Sequence, residues 1–585
     1  MSVDDRRTPS DDQFPPPTDD GRQPSGTPVP PPGDRPPRRS RRGLVIGLLA
    51  GVVVLALVGG GASWYVMSRP RAEATAALYT AAWNAGNYAG LDEITTDGGA
   101  GDAHTAVAEN LGVESTEVTV GEVVEDGDTA TAPFTAALSL GNGVEWGYEG
   151  ELPLERVEGE WKIAFTPAVV HPRLGEGQTL ARVNAWGERG RILAADGTRL
   201  DTEDASGSIQ MLTGTVGTVT AEDLSVLGPA YAEGDPTGKG GVQQAQEERL
   251  AGTPTTRIQV VDEGEEATAE ADESAVVGSI EGSPGQDVTL SIDPAVQQAA
   301  SNAIISQDKP TALVAIRPST GEILAAANVP GGFNRAVEGQ YPAGSTFKIV
   351  SYDALLRSGM TTGDPMNCPK TADVGGWPFK NAGDAEYGAQ SMTEAFATSC
   401  NTALVQEVAD RLDADSLVST AESYGFNSDL DIGVPSLSPS FPAPDSTTLL
   451  AAMSIGQGQM LTSPLHMATV PAAVADGSWR SPVLVTDPAL PDRPEPTPID
   501  NAEALRPMMR AVVTEGTAKD VGFAGEVYGK SGTAEYGTAE EGEDLPAHGW
   551  FVGYEGDVAF AVLVEDGNSG SGAAAPLAKR FLDGI

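Results

Sequence analysis

Residues 341–350 read Tyr-Pro-Ala-Gly-Ser-Thr-Phe-Lys-Ile-Val and hold one of only nine lysines in a chain of 585 residues, three positions after a serine. In an α-helix positions i and i+3 lie about 60° apart around the axis, so the hydroxyl of Ser345 and the amine of Lys348 can meet on one face. A deprotonated lysine there can take the serine's proton, provided burial or a neighbouring positive charge lowers its pKa. Alone the spacing is weak evidence, because both residue types favour helix surfaces. Ser306-Gln307-Asp308-Lys309 shares it, yet closes a helix just before Pro310 among polar neighbours, where a solvated end is expected.

Two further sites change the meaning of the pair. Ser399-Cys400-Asn401 is the only Ser-x-Asn in the chain, and Lys530-Ser531-Gly532-Thr533 lies in a strand-like stretch close to the C-terminus. Each has a bland reading. Asn401 could be a helix cap, and Lys239-Gly240-Gly241 repeats Lys-x-Gly inside a glycine-rich turn.

Taken in this order, the three motifs resemble those of the penicilloyl-serine transferases. The surrounding text resembles class B penicillin-binding proteins: "YPAGSTFK" looks like their nucleophile segment and "ATSCNTAL" like their second motif. "AAMSIGQGQMLTSPLHMA" (451–468) is similar to their Gly-Gln-Gly helix entry, and "VVTEGTA" and "YGKSGTAE" to their later landmarks. "WKIAFTPAVVHPRL", closing a helix-plus-hairpin region, is similar to the nuclear transport factor 2-like N-terminal domain of the MecA-type subgroup, and "ERGRILAADGTRL" (188–200) to the start of a pedestal or dimerisation module. The resemblance implies an α/β (α+β) transpeptidase domain with a helix-rich lobe on a central antiparallel sheet, crosslinking peptidoglycan stem peptides and acylated by β-lactams, with neither metal nor cofactor.

Carried over by motif, the family roles make Ser345 the nucleophile, Lys348 its base, Ser399 a proton relay and Asn401 the holder of Lys348. Lys530 would supply positive potential, while Ser531, Gly532 and Thr533 would bind the substrate, Thr533 touching its terminal carboxylate. The backbone N–H groups of Ser345 and Thr533 are the expected oxyanion hole. The same acylation apparatus serves a D,D-carboxypeptidase, a β-lactamase or a non-enzymatic β-lactam sensor or divisome scaffold. The anchor, pedestal and extra domain argue against a β-lactamase, and the intact motifs argue against an inert scaffold. His548 reads as a loop histidine, and Trp550 and Phe551 as sheet core.

Composition sets the partners. Lys and Arg total 36 against 83 Asp and Glu, for a net charge of −47, which repels nucleic acid. The four histidines and two cysteines show no metal-ligand spacing. Residues 1–42 hold eleven prolines, seven aspartates and eight arginines, a composition expected to form a disordered cytoplasmic tail. Residues 43–68 carry no charge and exceed the roughly 20 apolar residues that cross a bilayer, so a single transmembrane helix is expected. The arginines before it place the tail in the cytoplasm and the rest outside the cytoplasmic membrane; the resemblance implies a cell-wall elongation or division complex as partner.

The expected domains are 71–174, nuclear transport factor 2-like, with a helix Ala72 to Leu91 and then hairpins; 175–285, an elongated α/β pedestal containing one helix over "GVQQAQEERL"; and 286–585, the transpeptidase domain, opening on a strand "DVTLSI". Cys368 and Cys400, both expected outside the cytoplasm, are expected to form a disulfide, with two independent buried thiols as the alternative.

Overall fold

The computed structural model describes residues 71–585 apart from 142–143, 229, 269–270 and 539–544. The expected cytoplasmic tail (1–42) and transmembrane helix (43–68) lie outside the described residues. Among the described residues no helix is long and apolar enough to cross a membrane.

The first domain packs α1 (Ala72–Asn84) and α2 (Ala100–Leu111) on a curved antiparallel sheet of β1 (Ser115–Val120), β2 (Val124–Asp126), β3 (Thr129–Ser139), β4 (Glu145–Val157) and β5 (Glu160–Ile163). The strict alternation of buried and exposed residues along β3 is what one wet face requires. The expected helix to Leu91 stops at Asn84, where the Asn84 side chain leaves the helix to bond both backbone groups of Val118. Helix α2 has no counterpart in the sequence reading. It begins after the run Gly98-Gly99, and its buried His104 is closed in by Tyr79, Trp83 and Tyr88.

Residues 175–285 form two halves that do not share one core. β6 (Gln178–Ala185), β7 (Thr255–Asp262) and β8 (Val276–Ile280) make a three-stranded antiparallel sheet. Its Leu180 and Ile258 pack with Val107, Leu111, Leu138 and Trp146 of the first domain. Ile192, Leu200, Leu212, Val242 and Leu250 instead join the core of the C-terminal domain. The single helix expected over 241–250 is two short ones, Gly241–Ala245 and Glu247–Ala251, broken at Gln246, whose backbone is non-helical.

The C-terminal domain starts with α3 (Pro294–Ile304), capped by Asp293 and with Pro294 at its first position. Its five-stranded antiparallel sheet runs in the order β10 (Ile323–Val329), β9 (Thr311–Ile316), β17 (Val558–Val564), β16 (Ala547–Glu555), β15 (Tyr528–Glu535). Strands from both ends of the domain thus meet, as the sequence implies, and unbroken burial of β9 shows that both faces are covered. The strand expected over "DVTLSI" is present as Val288–Leu290, pairing with Ile192–Leu193 and Val485–Asp487 outside this sheet.

Between the sheet's halves the chain builds the helical lobe: α4 (Lys348–Arg357), α5 (Met392–Ala397), α6 (Asn401–Arg411), α7 (Thr447–Ser454), α8 (Pro464–Asp476) and α9 (Ala502–Thr514), before a terminal α10 (Ala575–Leu582). Two small ribbons unforeseen in the sequence sit in it, β11 (Pro365–Cys368) with β14 (Gly388–Ser391) and β12 (Thr371–Val374) with β13 (Trp377–Lys380). The lobe meets the sheet through two glycines in left-handed conformation. A Cβ on Gly344 would lie 2.4 Å from the Thr533 carbonyl oxygen, and one on Gly456 would lie 1.9 Å from that of Gly344.

Gly456→Ala combines a positive φ of 79° with that clash. It is expected to destabilise the domain by about 2 kcal/mol or more, read as a lower denaturation midpoint.

Candidate active site

Ser345 lies in a 3-10 turn, Gly344–Phe347, that runs straight into α4. Residues i and i+3 eclipse in such a turn, so Ser345 and Lys348 share a face. The first N–H groups of a helix lack intrahelical acceptors, and Ser345 supplies one. Trp550 fixes the preceding loop by donating its indole N–H to the Pro342 carbonyl at 3.1 Å.

Among the described residues no hydrogen bond joins the Ser345 hydroxyl to the Lys348 amine. Lys348, wholly buried, turns its amine to the second motif, donating to Ser399 O at 2.7 Å and Asn401 Oδ1 at 2.6 Å, with Ser399 Oγ at 3.3 Å. Lys530, equally buried on β15, donates to the same Ser399 Oγ at 2.9 Å and to Ser531 O at 3.0 Å. Its amine stands 5.6 Å from the ring centre of Phe396. Two amines thus converge on one hydroxyl.

Their surroundings disfavour protonation. Burial first, and the Lys530 charge second, hold the Lys348 amine well below the usual lysine range. Burial alone brings Lys530 down to about 7. Desolvation, rather than the neighbouring cation, is therefore the larger cause of the lowered Lys348 pKa.

Ser399 bridges α5 and α6 with φ +60°, a left-handed conformation that a non-glycine residue adopts at a cost of about 1 kcal/mol or more. That turn lets one residue present its carbonyl to Lys348 and its hydroxyl to both amines. Cys400 follows and is joined by a disulfide to Cys368 of β11. Asn401 opens α6, and its Nδ2 donates to the Lys380 carbonyl at 3.0 Å.

Ser531, Gly532 and Thr533 lie on β15, the outer strand of the sheet. In its satisfied orientation the Gln457 amide donates to Glu535 O at 3.1 Å and accepts from Glu535 N at 2.9 Å. Backbone groups of an antiparallel strand alternate between its two sides. Thr533 and Ser531, two and four residues back in unbroken register, therefore also turn their N–H and C=O groups to the open side, beside Ser345.

Three groups at the site carry no role in the sequence reading. Thr517, inside "VVTEGTA", shares a 2.6 Å hydroxyl contact with Ser531. Gln457, within Gly-Gln-Gly, ends the open edge of β15. Asn381, held by no motif, contacts the start of α6 through its amide. His548 is in strand β16 rather than a loop, stacked on Tyr536 at 4.2 Å, while Trp550 and Phe551 are fully buried in the sheet.

Residues 311–583 match the model of the penicillin-binding protein transpeptidase domain, 71–178 that of the NTF2-like N-terminal transpeptidase domain, and 203–290 that of the penicillin-binding protein dimerisation domain. The peptidoglycan D,D-transpeptidase PbpA of Mycobacterium tuberculosis is 30% identical over 359 residues, covering 51% of this chain and 72% of the relative. Pseudomonas aeruginosa PBP2, solved in complex with WCK 5153, superposes with a TM-score of 0.57 at 26% identity, over 69% of this chain and 96% of its own. Penicillin-binding protein A from M. tuberculosis, solved as a penicillin G acyl-enzyme complex, shares the fold with a TM-score of 0.53 at 24% identity, over 68% and 99%. With all three family models in order along one chain, and with nearly three quarters of a D,D-transpeptidase matched, the chain belongs to the class B penicillin-binding proteins.

Proposed function

We propose that the protein crosslinks peptidoglycan by transferring a D-Ala-D-Ala stem peptide, through an ester on Ser345, to an amine of a neighbouring stem. The observation that carries this reading is the convergence of two buried amines on Ser399 beside the helix start that bears Ser345. Lys348 takes the Ser345 hydroxyl proton as Oγ bonds to the penultimate D-Ala carbonyl carbon. The oxyanion so formed faces the backbone N–H groups of Ser345 and Thr533, where one donor is worth roughly 3 to 4 kcal/mol of transition-state stabilisation.

As the peptide C–N bond breaks, Ser399 Oγ passes a proton to the departing amine of D-Ala and draws one from the lysines. The acceptor amine then attacks the ester carbonyl and loses a proton to Lys348, which passes it to Ser345 Oγ as the ester C–O bond breaks, restoring the serine hydroxyl and the free amine. Lys530 holds the Ser399 hydroxyl, while Ser531, Gly532 and Thr533 receive the substrate along the strand edge, the Thr533 hydroxyl meeting its carboxylate. A β-lactam enters the same path, but its leaving nitrogen stays tethered and the ester persists.

Incubating the protein with a donor stem peptide and an amine acceptor should yield crosslinked product and free D-Ala. Hydrolysed donor alone would sink the transfer step. Penicillin should add once to Ser345 in intact-mass spectra, and Ser345→Ala and Lys348→Ala should each remove the adduct; an undiminished adduct in Ser345→Ala would falsify the assignment of the nucleophile.

The reading also places residues 43–68 across the cytoplasmic membrane, with 71–585 outside. Protease added to spheroplasts should digest 71–585 and spare the tail, whereas recovery of a mature chain beginning near Ala62 would mean that the segment is a cleaved signal.

The buried amines also set a dependence of stability on pH. The Lys530 amine titrates near 7 when folded and near 10.5 when not, so between these values the unfolded chain binds the extra proton and stability rises with pH. Lys530→Met, inactive, should therefore gain stability relative to wild type as pH falls from about 10 to 7 and level off below. Equal unfolding midpoints across that range would refute the shift.

A further inference from the structure

In the neutral form that can act as a base, the Lys348 amine has two N–H donors and one lone pair, and its two shortest contacts take the donors. One goes to Ser399 O at 2.7 Å and the other to Asn401 Oδ1 at 2.6 Å, with Ser399 Oγ, itself able to donate, at 3.3 Å. The lone pair remains for a hydroxyl proton only while Asn401 presents oxygen. With its amide reversed, Asn401 would offer Lys348 an N–H and compete for that lone pair. The orientation of one amide thus decides whether the amine can accept a proton.

The motif alone does not set that orientation; two residues of a different segment do. The Lys380 carbonyl, which can only accept, takes Asn401 Nδ2 at 3.0 Å and so turns Oδ1 toward Lys348. Next to it, Asn381 Oδ1 accepts from the backbone N–H groups of Asn401 at 2.9 Å and Thr402 at 3.1 Å, holding the first residues of α6. Its Nδ2 is held in turn by the carbonyls of Pro369 and Ala385, each at 2.9 Å, and by Thr402 Oγ1 at 3.1 Å.

Asn381 is 3% exposed, so these bonds act without competing water. The ribbon that delivers Lys380 is pinned independently: Phe379 of β13 packs with Val405 of α6 and Ala451 of α7.

We infer that Asn381 is a positioning residue of the acyl-transfer site, which together with the Lys380 carbonyl locks the Asn401 amide so that the Lys348 lone pair stays free. The inference rests on the functional reading above. It makes the ribbon of residues 371–380 part of the proton-transfer apparatus, although no atom of it touches the reacting groups. Asn381 acts only through Asn401.

The test is a double-mutant cycle on the full chain in detergent, with penicillin as the probe and fractional labelling of Ser345 followed over time at several concentrations. Asn381→Ala should lower the limiting acylation rate by about 10- to 100-fold, the scale of a misplaced catalytic group. The penicillin concentration giving half that rate should stay within about threefold of wild type, since the pocket is intact. In an Asn401→Ala background the same change should cost less than about threefold, because the residue it acts through is gone. An equal loss in both backgrounds, or no loss in the first, overturns the inference. If Asn381→Ala does not fold, Asn381→Ser takes its place in the cycle with the same expectations. A wild-type chain that takes no penicillin would sink the functional reading, and this inference with it.

Discussion

Two lysine amines buried without a counter-charge are the constraint around which the catalytic domain is organised. Among the described residues neither Lys348 nor Lys530 pairs with a carboxylate, in a chain that carries 83 of them. A carboxylate at this depth would favour the ammonium form. The fold instead surrounds the amines with neutral acceptors: two main-chain carbonyls, one hydroxyl and one amide. Supplying these from three separate elements demands the left-handed turn at Ser399, the close approach of Gly344 to β15, and an anchored start for α6.

That arrangement explains why the domain is assembled from distant stretches of chain. The helix that follows Ser345, the turn at Ser399 and the edge strand with Lys530 come from chain positions far apart. Each is rigid through contacts of its own: the loop before Ser345 through Trp550, the second motif through the Cys368 disulfide and Asn381, and β15 through its ladder to β16. The segment 175–285 is divided between the two domains it joins. One half belongs to the transpeptidase core and the other to the core beneath β4 and α2, so apolar packing runs into it from both sides.

Much of this was legible in the sequence because it depends on short-range chemistry. Ser-x-x-Lys, Ser-x-Asn and Lys-x-Gly keep their residue types at fixed spacing, and the alternation along β3 is local too. What escaped was set by tertiary contacts. Helix α2 has weak start signals and is closed by aromatic packing around His104. "GVQQAQEERL" has helical periodicity but breaks at Gln246, between halves that pack on different partners. "DVTLSI" looks like any sheet strand, and only its pairing with Ile192–Leu193 excludes it from the central sheet. Asn381 stood between turn residues with nothing local to mark it, because its meaning comes from the α6 N–H groups that it meets across the fold.

The outer strand β15 bears on the solubility of the protein as well as on its chemistry. An unpaired strand edge is a template on which any extended chain can add, a second copy of the same protein included. Here helix α9 packs along β15, and the Gln457 side chain occupies the backbone groups of Glu535. What remains open is a short window at Ser531 and Thr533, sunk beside the helical lobe. An edge left uncovered over so few residues offers little on which another protein's strand could pair, which limits edge-to-edge association.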